Sequence, residues 1–369
     1  MVTRRGFLRG ATSASLALPL LGRGIAHAAE DWQAEWDRTI AAAHKEGSVV
    51  ACMSPSKPRR DFLVSQWKQD YPGIELSLST VSGSAFVPQV ATERSAGRYL
   101  WDIFHSGAPS SYSAIRQGLL DPLLPELFLP EVKDPAVWGG WDNAFYDKGK
   151  KYDFALVSDL IAPSYNARAI PPEKVKALGS KVLLDPAYKG KIIWHDPRIE
   201  GTGATFFPFL ANVLGDDGLR HLLSAQEPVF VTNFNDPAQA LIRGKAHLAL
   251  GDTIGTVFDS YRQAGLDFDI RPLGNTPDTS WLSTDGSTLG VFNQRPHPNA
   301  ARVFVNWIMS QRIAALMAKA SGYSSRRLDV PLLDPANGVI PGAVYVQSSI
   351  EENDALARHW MAEAARLHA

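Results

Sequence analysis

The stretch Asp185–Phe206 reads DPAYKGKIIWHDPRIEGTGATF and combines a loop, a short apolar run, a glycine-rich turn and the start of an apolar helical pattern. Residues 191–194 suit a buried strand, and the residues after the turn are spaced as in a helix. Such a turn directs free backbone N–H groups at a small, usually anionic, ligand. A plain tight turn explains the glycines equally well. The stretch therefore predicts a strand-to-helix unit and candidate ligand contacts at Gly201, Thr202 and Gly203.

The same alternation of strand and helix extends in both directions along the chain. The apolar run 49–53, the alternating apolar and polar residues 74–80 and the short segment 102–105 each read as a strand, and each is followed by Ser or Gly and then by a helical pattern. Three such units in a row predict a parallel sheet with right-handed crossovers. After the opening stretch, strands are predicted at 229–231, 247–250, 268–272 and 288–292, and helices at 299–320 and 344–368.

The length of the chain predicts more than one hydrophobic core. About 340 residues would remain after a targeting segment, more than a single core usually serves. The strand–helix alternation restarts after an irregular, proline-rich excursion and two apolar runs at 154–162. The predicted fold is therefore α/β with two lobes. The predicted division is a targeting segment over 1–28, a first lobe over 29–160 and 280–369, and a second lobe over 161–279.

The N-terminus has the features of an export signal. Arg4 and Arg5 precede an uncharged apolar run over 11–21, and Ala26-His27-Ala28 offers a small-x-small cleavage site. The Arg pair followed by Phe7-Leu8 resembles the twin-arginine (Tat) signal of bacteria, with an ordinary Sec signal as the alternative. Either predicts a periplasmic protein cleaved near Ala28. No later run approaches the ~18 apolar residues of a membrane span, so no membrane insertion of the mature chain is expected.

Charge and cysteine content exclude several classes of protein. Residues 1–28 hold four of the 37 Lys and Arg and none of the 38 Asp and Glu, so the rest of the chain is mildly acidic. An acidic chain is not typical of a nucleic-acid binder. The single cysteine, Cys52, excludes an intramolecular disulfide, and stability must come from burial of apolar side chains.

Serine residues follow the first three predicted strands. Open parallel sheets bind ligands in the crevice beyond the carboxyl ends of their strands, so these serines are candidates to face one cleft. Serine is also a favoured helix N-cap, which would explain each residue singly at about 1 kcal/mol. The candidates are Ser54, Ser56, Ser82, Ser84 and Ser106.

Several motifs resemble one family over nearly the whole mature chain. The resemblance is to the periplasmic substrate-binding proteins of ABC importers, and specifically to the extracellular solute-binding group that includes the ferric-iron binders. It implies two α/β lobes joined by two hinge strands that close on one ligand, with importer permease and ATPase subunits as partners. The motifs are Ser54-Pro55-Ser56, Tyr165-Asn166, 184–192 with Asp196-Pro197, Gly201-Thr202-Gly203, 296–301 and 322–326.

The sequence departs from the ferric binders in one respect. Those proteins hold Fe(III) with a pair of adjacent tyrosines in the second lobe. The corresponding region, 251–261, reads GDTIGTVFDSY and contains only the isolated Tyr261. Iron is therefore not the preferred ligand, and no metal or cofactor is predicted.

The preferred ligand is a small organic anion, namely a phosphonate, a phosphate ester or a carboxylate. Helix N-termini lined by Ser and Gly hold such groups without a formal charge. A counter-charge from Lys57, Arg59, Arg60 or Arg198 is possible, although each side chain is also explained as a solvated surface group. Tyr165, at the crossing between the lobes, completes this set of candidate contacts.

Acidic and aromatic residues support a second ligand class. Asp252 follows a predicted strand, Asp285 precedes another, and Trp281 is placed to stack on a ring or cover a cation. A polyamine or a sugar is therefore the alternative, although turn-forming Asp residues and a core-edge Trp explain the same pattern.

An enzyme is the alternative from another class. The sequence contains no G-x-S-x-G, H-E-x-x-H or Walker motif, and only His105 and His195 lie at strand ends, where active-site residues are common. A secreted hydrolase would need His105 to meet Ser82 or Ser106. We expect a monomeric binding protein without catalytic residues.

Overall fold

The computed structural model describes residues 20–233, 235–251, 255–284, 286–333, 335 and 338–368, with side chains except at 20–31, 255–257 and 259. The first nineteen residues of the predicted targeting segment lie outside this range. The first part of the chain contains α1 (Leu20–Glu46), β1 (Ser48–Met53), α2 (Lys57–Asp70), β2 (Glu75–Thr80), α3 (Gly83–Ser95), β3 (Ile103–Ser106), α4 (Ala108–Arg116), β4 (Leu120–Asp121), α5 (Pro130–Lys133), α6 (Trp141–Ala144) and β5 (Phe154–Ala155).

The middle of the chain forms a second set of alternating elements. It contains β6 (Asp159–Ile161), β7 (Ser164–Asn166), α7 (Pro172–Leu178), β8 (Ile192–His195), α8 (Phe207–Ser224), β9 (Val229–Val231), α9 (Asp236–Ile242), β10 (Leu248–Leu250), α10 (Gly255–Gln263) and β11 (Ile270–Pro272). The final part contains β12 (Trp281–Ser283), β13 (Thr288–Phe292), α11 (Pro298–Met309), α12 (Gln311–Ser321) and α13 (Asp354–Leu367).

Lobe 1 is built on a six-stranded sheet in the order β2-β1-β3-β13-β4, with β5 also paired to β13. β1 pairs in parallel with β2 and with β3, so Met53 lies beside both Thr80 and His105 at the carboxyl ends. This confirms the parallel arrangement predicted from the three strand–helix units. β13 has the bounds predicted from the sequence, 288–292, and pairs antiparallel with β3 over 288–291. The serine turns therefore emerge at one edge of the sheet.

Lobe 2 is built on a five-stranded sheet in the order β11-β7-β10-β8-β9. β8 lies in parallel between β9 and β10, and its side chains are all buried. Trp194 and Phe207 belong to the apolar core that covers this sheet. A separate two-stranded antiparallel ribbon, β6 with β12, pairs Trp281 with Ile161, and along the chain each of its strands lies between a strand of one sheet and a strand of the other. The two-lobed α/β fold predicted from the sequence is confirmed.

The C-terminal part of the chain differs from the prediction in two respects. The helix predicted over 299–320 is two helices, because Ser310 is extended and its Oγ accepts a hydrogen bond from the Ile313 N–H at the start of α12. The helix predicted over 344–368 is confined to α13. The sequence predicts this helix in lobe 1, whereas Trp360 and Ala364 lie in the core of lobe 2.

The chain therefore crosses between the lobes a third time. α12 packs in the core of lobe 1. The chain that follows it passes the ribbon, where the Val346 carbonyl accepts a hydrogen bond from the Leu282 N–H at 2.9 Å. The chain then reaches α13 on lobe 2. No helix among the described residues is long and apolar enough to cross a bilayer.

Replacing Trp360 by Ala should lower the free energy of unfolding by about 3–5 kcal/mol, because truncating a buried indole leaves a cavity. The Trp360 ring is fully buried and stacks on Phe207 at a centroid distance of 6.4 Å. Urea denaturation followed by circular dichroism measures the loss. Leu356→Ala, an exposed position on the same helix, is the control and should change stability by less than about 0.5 kcal/mol. Equal stabilities of both variants and the parent would contradict the packing of α13 on lobe 2.

Candidate functional site

A cleft of about 320 Å³ lies between the two lobes. Lobe 1 contributes the residues that follow β1, β2 and β3, and lobe 2 contributes the loop between β8 and α8. The ribbon contributes Ile161 and Trp281, and the C-terminal segment contributes Ser349. The volume is that of a small-molecule site, at the edge where the parallel strands of lobe 1 end.

Most of the residues proposed from the sequence lie around this cleft. They are Ser54, Ser82, Ser84 and Ser106 from lobe 1, Gly201 and Thr202 from lobe 2, and Trp281 from the ribbon.

Three of the proposed residues do not line the cleft. Ser56 is half-buried at the start of α2. Tyr165 is 4 % exposed and lies in the core of lobe 2, because alternation along β7 turns its ring away from Ser164 and Asn166. Gly203 serves packing, since a Cβ there would stand 1.8 Å from the His195 carbonyl oxygen. The proposed Asp252 and Asp285 lie outside the described residues.

Three helices of lobe 1, α2, α3 and α4, begin near the cleft, and their N-cap residues are Ser56, Ser82 and Gly107. In the part of the chain that the structure describes, neither Ser56 nor Ser82 uses its side chain to cap its helix. The Ser84 hydroxyl donates to the Ser82 Oγ at 3.4 Å, and the Ser54 and Ser106 Oγ atoms lie 3.3 Å apart. Simple capping therefore does not account for these serines.

The glycine turn of lobe 2 differs from the anion cradle proposed for it. A three-residue 3₁₀ helix, Ala204–Phe206, follows Gly203 before α8 begins at Phe207. Glu200, immediately before the turn, also lines the cleft. Glu200 thus places negative charge at the position where an anion was expected.

The remaining lining is hydroxyl-rich and aromatic. Sequence reasoning did not identify Ser110, Thr205, Phe206, Tyr323 and Ser349, all of which line the cleft. Among the described lining residues, Glu200 is the only Asp, Glu, Lys, Arg or His side chain. Its place directly before Gly201 was visible in the sequence, whereas nothing local marks Ser349, which the third crossing brings there.

Arg59 lies close behind the lobe 1 wall and is only 2 % exposed, so it is not the solvated side chain that the sequence allowed. Its guanidinium carbon lies 5.4 Å from the centroid of the Tyr323 ring, which lines the cleft. Arg198 is paired with Asp196 at 2.7 Å, and Lys57 is paired with Asp61.

The two histidines considered for catalysis are held in structural contacts. His105 Nε2 lies 2.9 Å from the Ser287 Oγ, so its hydrogen-bond partner in the described structure is neither Ser82 nor Ser106. Burial, with a smaller effect from Arg59, lowers the His105 pKa to about 3. His195 Nε2 lies 3.2 Å from the Thr232 carbonyl oxygen, and burial lowers its pKa as well. Within the described residues no cluster of three or more His, Cys, Asp and Glu side chains is arranged to hold a metal ion.

A profile of the bacterial extracellular solute-binding protein family matches residues 63–338. The chain belongs to this family. Its members are binding proteins, which agrees with the interlobar cleft. A search of curated protein sequences found no match.

Solved structures with this fold bind different solutes. Iron-bound HitA from Pseudomonas aeruginosa is 16% identical, with a TM-score of 0.63 over 87% of this chain and 97% of HitA. AfuA from Actinobacillus pleuropneumoniae, solved with fructose-6-phosphate, is 16% identical, with a TM-score of 0.60 over 87% and 99%. A ferric binding protein from Campylobacter jejuni is 14% identical, with a TM-score of 0.61 over 87% and 98%. At these identities the likeness establishes the fold alone.

The buried His105 should make stability depend on pH. Its folded-state pKa of about 3 lies below the ordinary value near 6.5, so the unfolded chain takes up a proton that the folded chain does not. The contribution is complete above about pH 6.5 and is lost as the pH falls toward 3. Urea denaturation at pH 7.5 and 5.0 should show parent stability falling by about 2 kcal/mol more than that of His105→Gln. An identical pH dependence of the two proteins would contradict a neutral, buried His105.

Proposed function

We propose that this protein is the solute-binding component of an ABC importer and that it captures a small organic anion between its lobes. The solute is a phosphonate, a phosphate ester or a carboxylate, delivered by the closed protein to the permease. The observation that carries the anion proposal is the lobe 1 wall, where α3 and α4 begin at a cleft lined by serine hydroxyls. Each helix N-terminus carries about half a positive elementary charge.

The remaining predictions from the sequence fit this proposal. The export signal, Tat-type with cleavage near Ala28, would bring the chain to the periplasm, where it works as a monomer with permease and ATPase subunits as partners. The predicted domains, 29–160 with 280–369 and 161–279, are retained except that α13 is assigned to lobe 2 because Trp360 lies in its core.

A polyamine or a neutral sugar is the second candidate, and Glu200 favours it, because a carboxylate holds ammonium or hydroxyl groups. Trp281 and Phe206 also line the cleft, but each is only 1 % exposed and their rings pack edge to face on each other at 5.6 Å. A ferric ligand has less support, because Tyr261 is isolated in α10 and does not line the cleft.

A thermal-shift screen tests the ligand class. Glucose 6-phosphate, ethylphosphonate, citrate, spermidine, glucose and ferric citrate are compared at equal concentration. A bound solute at a hundred times its Kd stabilises the folded protein by about 2.7 kcal/mol and raises the Tm. We expect one or more of the organic anions to do so. A shift by spermidine or glucose alone would contradict the anion proposal, and no shift with any solute would contradict solute binding of these classes.

A substitution that adds a negative charge at the start of α3 tests whether the ligand is an anion or a cation. Ser82→Asp and Ser82→Asn both supply good N-cap residues, so both variants should fold. Only the Asp variant adds a negative charge at the cleft. For an anion, Ser82→Asp should weaken binding by about tenfold or more relative to Ser82→Asn in isothermal titration calorimetry. Stronger binding by the Asp variant would identify a cationic ligand instead.

A further inference from the structure

Glu200 lies where two cavities of the protein adjoin. It lines the main cleft and a smaller cavity of about 30 Å³ beneath the C-terminal helix. The smaller cavity shares Gly201, Thr205 and Ser349 with the main cleft and extends toward Ala357 and Met361. Glu200 therefore belongs to the lobe 2 side of the cleft, whose lobe 1 wall contains the helix starts.

One carboxylate oxygen of Glu200 is already occupied by the protein. Arg358 Nη2 donates to Glu200 Oε1 at 2.9 Å, and Arg358 Nε donates to Asp354 Oδ2 at 3.0 Å. Asp354 also accepts from Arg116 of lobe 1 at 3.2 Å. These contacts fix the position of the Glu200 side chain, which is 26% exposed. In the described structure no hydrogen bond reaches Oε2, and this oxygen is not buried.

We propose that Glu200, positioned by Arg358, selects ligands that carry a hydrogen-bond donor, an ammonium or a hydroxyl group, at the end opposite their anionic group. This inference rests on the proposed function and assigns the ligand its orientation. The anionic group faces Ser82, Ser84 and the start of α4, where the helix N-termini lie. The donor group faces Glu200 Oε2.

Electrostatics supports this division of the cleft. An anion placed against Glu200 would meet a like charge, whereas at the lobe 1 wall it meets hydroxyls and backbone N–H groups. A donor bound to a carboxylate forms a charge-assisted hydrogen bond, which is stronger than a neutral one. As a surface ion pair alone, Glu200–Arg358 would contribute little, with a typical value of about 0–1 kcal/mol. Its place at the cleft gives the pair a role in recognition.

Two matched pairs of ligands test this proposal. 2-Aminoethylphosphonate is compared with ethylphosphonate, which lacks the ammonium group, and glycerol 3-phosphate with propyl phosphate, which lacks the hydroxyls. Isothermal titration calorimetry of the parent should show at least one donor-bearing probe binding about tenfold or more tightly than its partner. In Glu200→Gln this ratio should fall by about tenfold, while the affinity of the donor-free probe stays equal or increases. The pair that discriminates identifies the donor as ammonium or hydroxyl.

Arg358 acts through Glu200, so its variants are tested by the same measurement, the ratio of the affinities for the donor-bearing and the donor-free probe. Arg358→Gln should reduce the ratio by a few-fold, and Arg358→Lys should restore part of it. Glu352→Gln removes the same charge at an exposed site outside both cavities and should leave the ratio unchanged.

The outcomes separate this inference from the proposed function. Equal binding of both members of each pair by the parent, or an unchanged ratio in Glu200→Gln, would overturn the role of Glu200 while leaving anion capture intact. A lower Tm of Glu200→Gln with an unchanged ratio would mean that Glu200 is only a structural partner of Arg358. Binding of none of the four probes would contradict capture of phosphonates and phosphate esters and would overturn this inference with it.

Discussion

The parallel pairing of β1 with both β2 and β3 is the constraint on which the site depends. A parallel strand must be followed by a crossover, and here each crossover begins with a helix at the same edge of the sheet. The register that places Met53 beside Thr80 and His105 brings three serine-containing turns within one cleft wall. The serine-lined wall of lobe 1 is thus a consequence of strand pairing. Interactions among its polar side chains are not needed to bring the three turns together.

The sequence was sufficient where a local pattern determines the structure. The run 288–292 contains Leu289, Val291 and Phe292 and is buried throughout as β13, so this strand could be predicted without knowledge of its neighbours. The serine turns could be grouped because the parallel topology was readable from three repeated units. Tyr165 could not be placed, because both faces of a central strand are possible until the pairing of β7 with β10 and β11 is known.

Other features depended on contacts between residues distant in sequence. Trp360 gives α13 an apolar face, but the sequence pattern does not indicate which lobe covers that face. In the structure the core of lobe 2 covers it. Arg59 carries a charge that usually lies at the surface, yet it packs against Tyr323, more than 250 residues away. Glycine at 203 was read as a ligand contact, although the close approach of the His195 carbonyl explains it. In each case the partner, and not the local pattern, determined the role.

The third crossing ties the C-terminal segment to both lobes. On the lobe 1 side, the C-terminal segment is held by hydrogen bonds and an ion pair: the Tyr112 hydroxyl donates to the Ser349 carbonyl, the Lys148 N–H to Glu351 and Arg116 to Asp354.

On the lobe 2 side, α13 is held by the burial of Trp360, which is far more costly to undo than a few partly exposed polar contacts. Trp360 therefore ties α13 to lobe 2. Glu200 and Arg358 both belong to that lobe, so the contact between their side chains does not depend on the distance between the lobes. In the lobe closure that belongs to the proposed function, the Glu200 carboxylate would keep this partner, and its distance from the helix starts of lobe 1 would change.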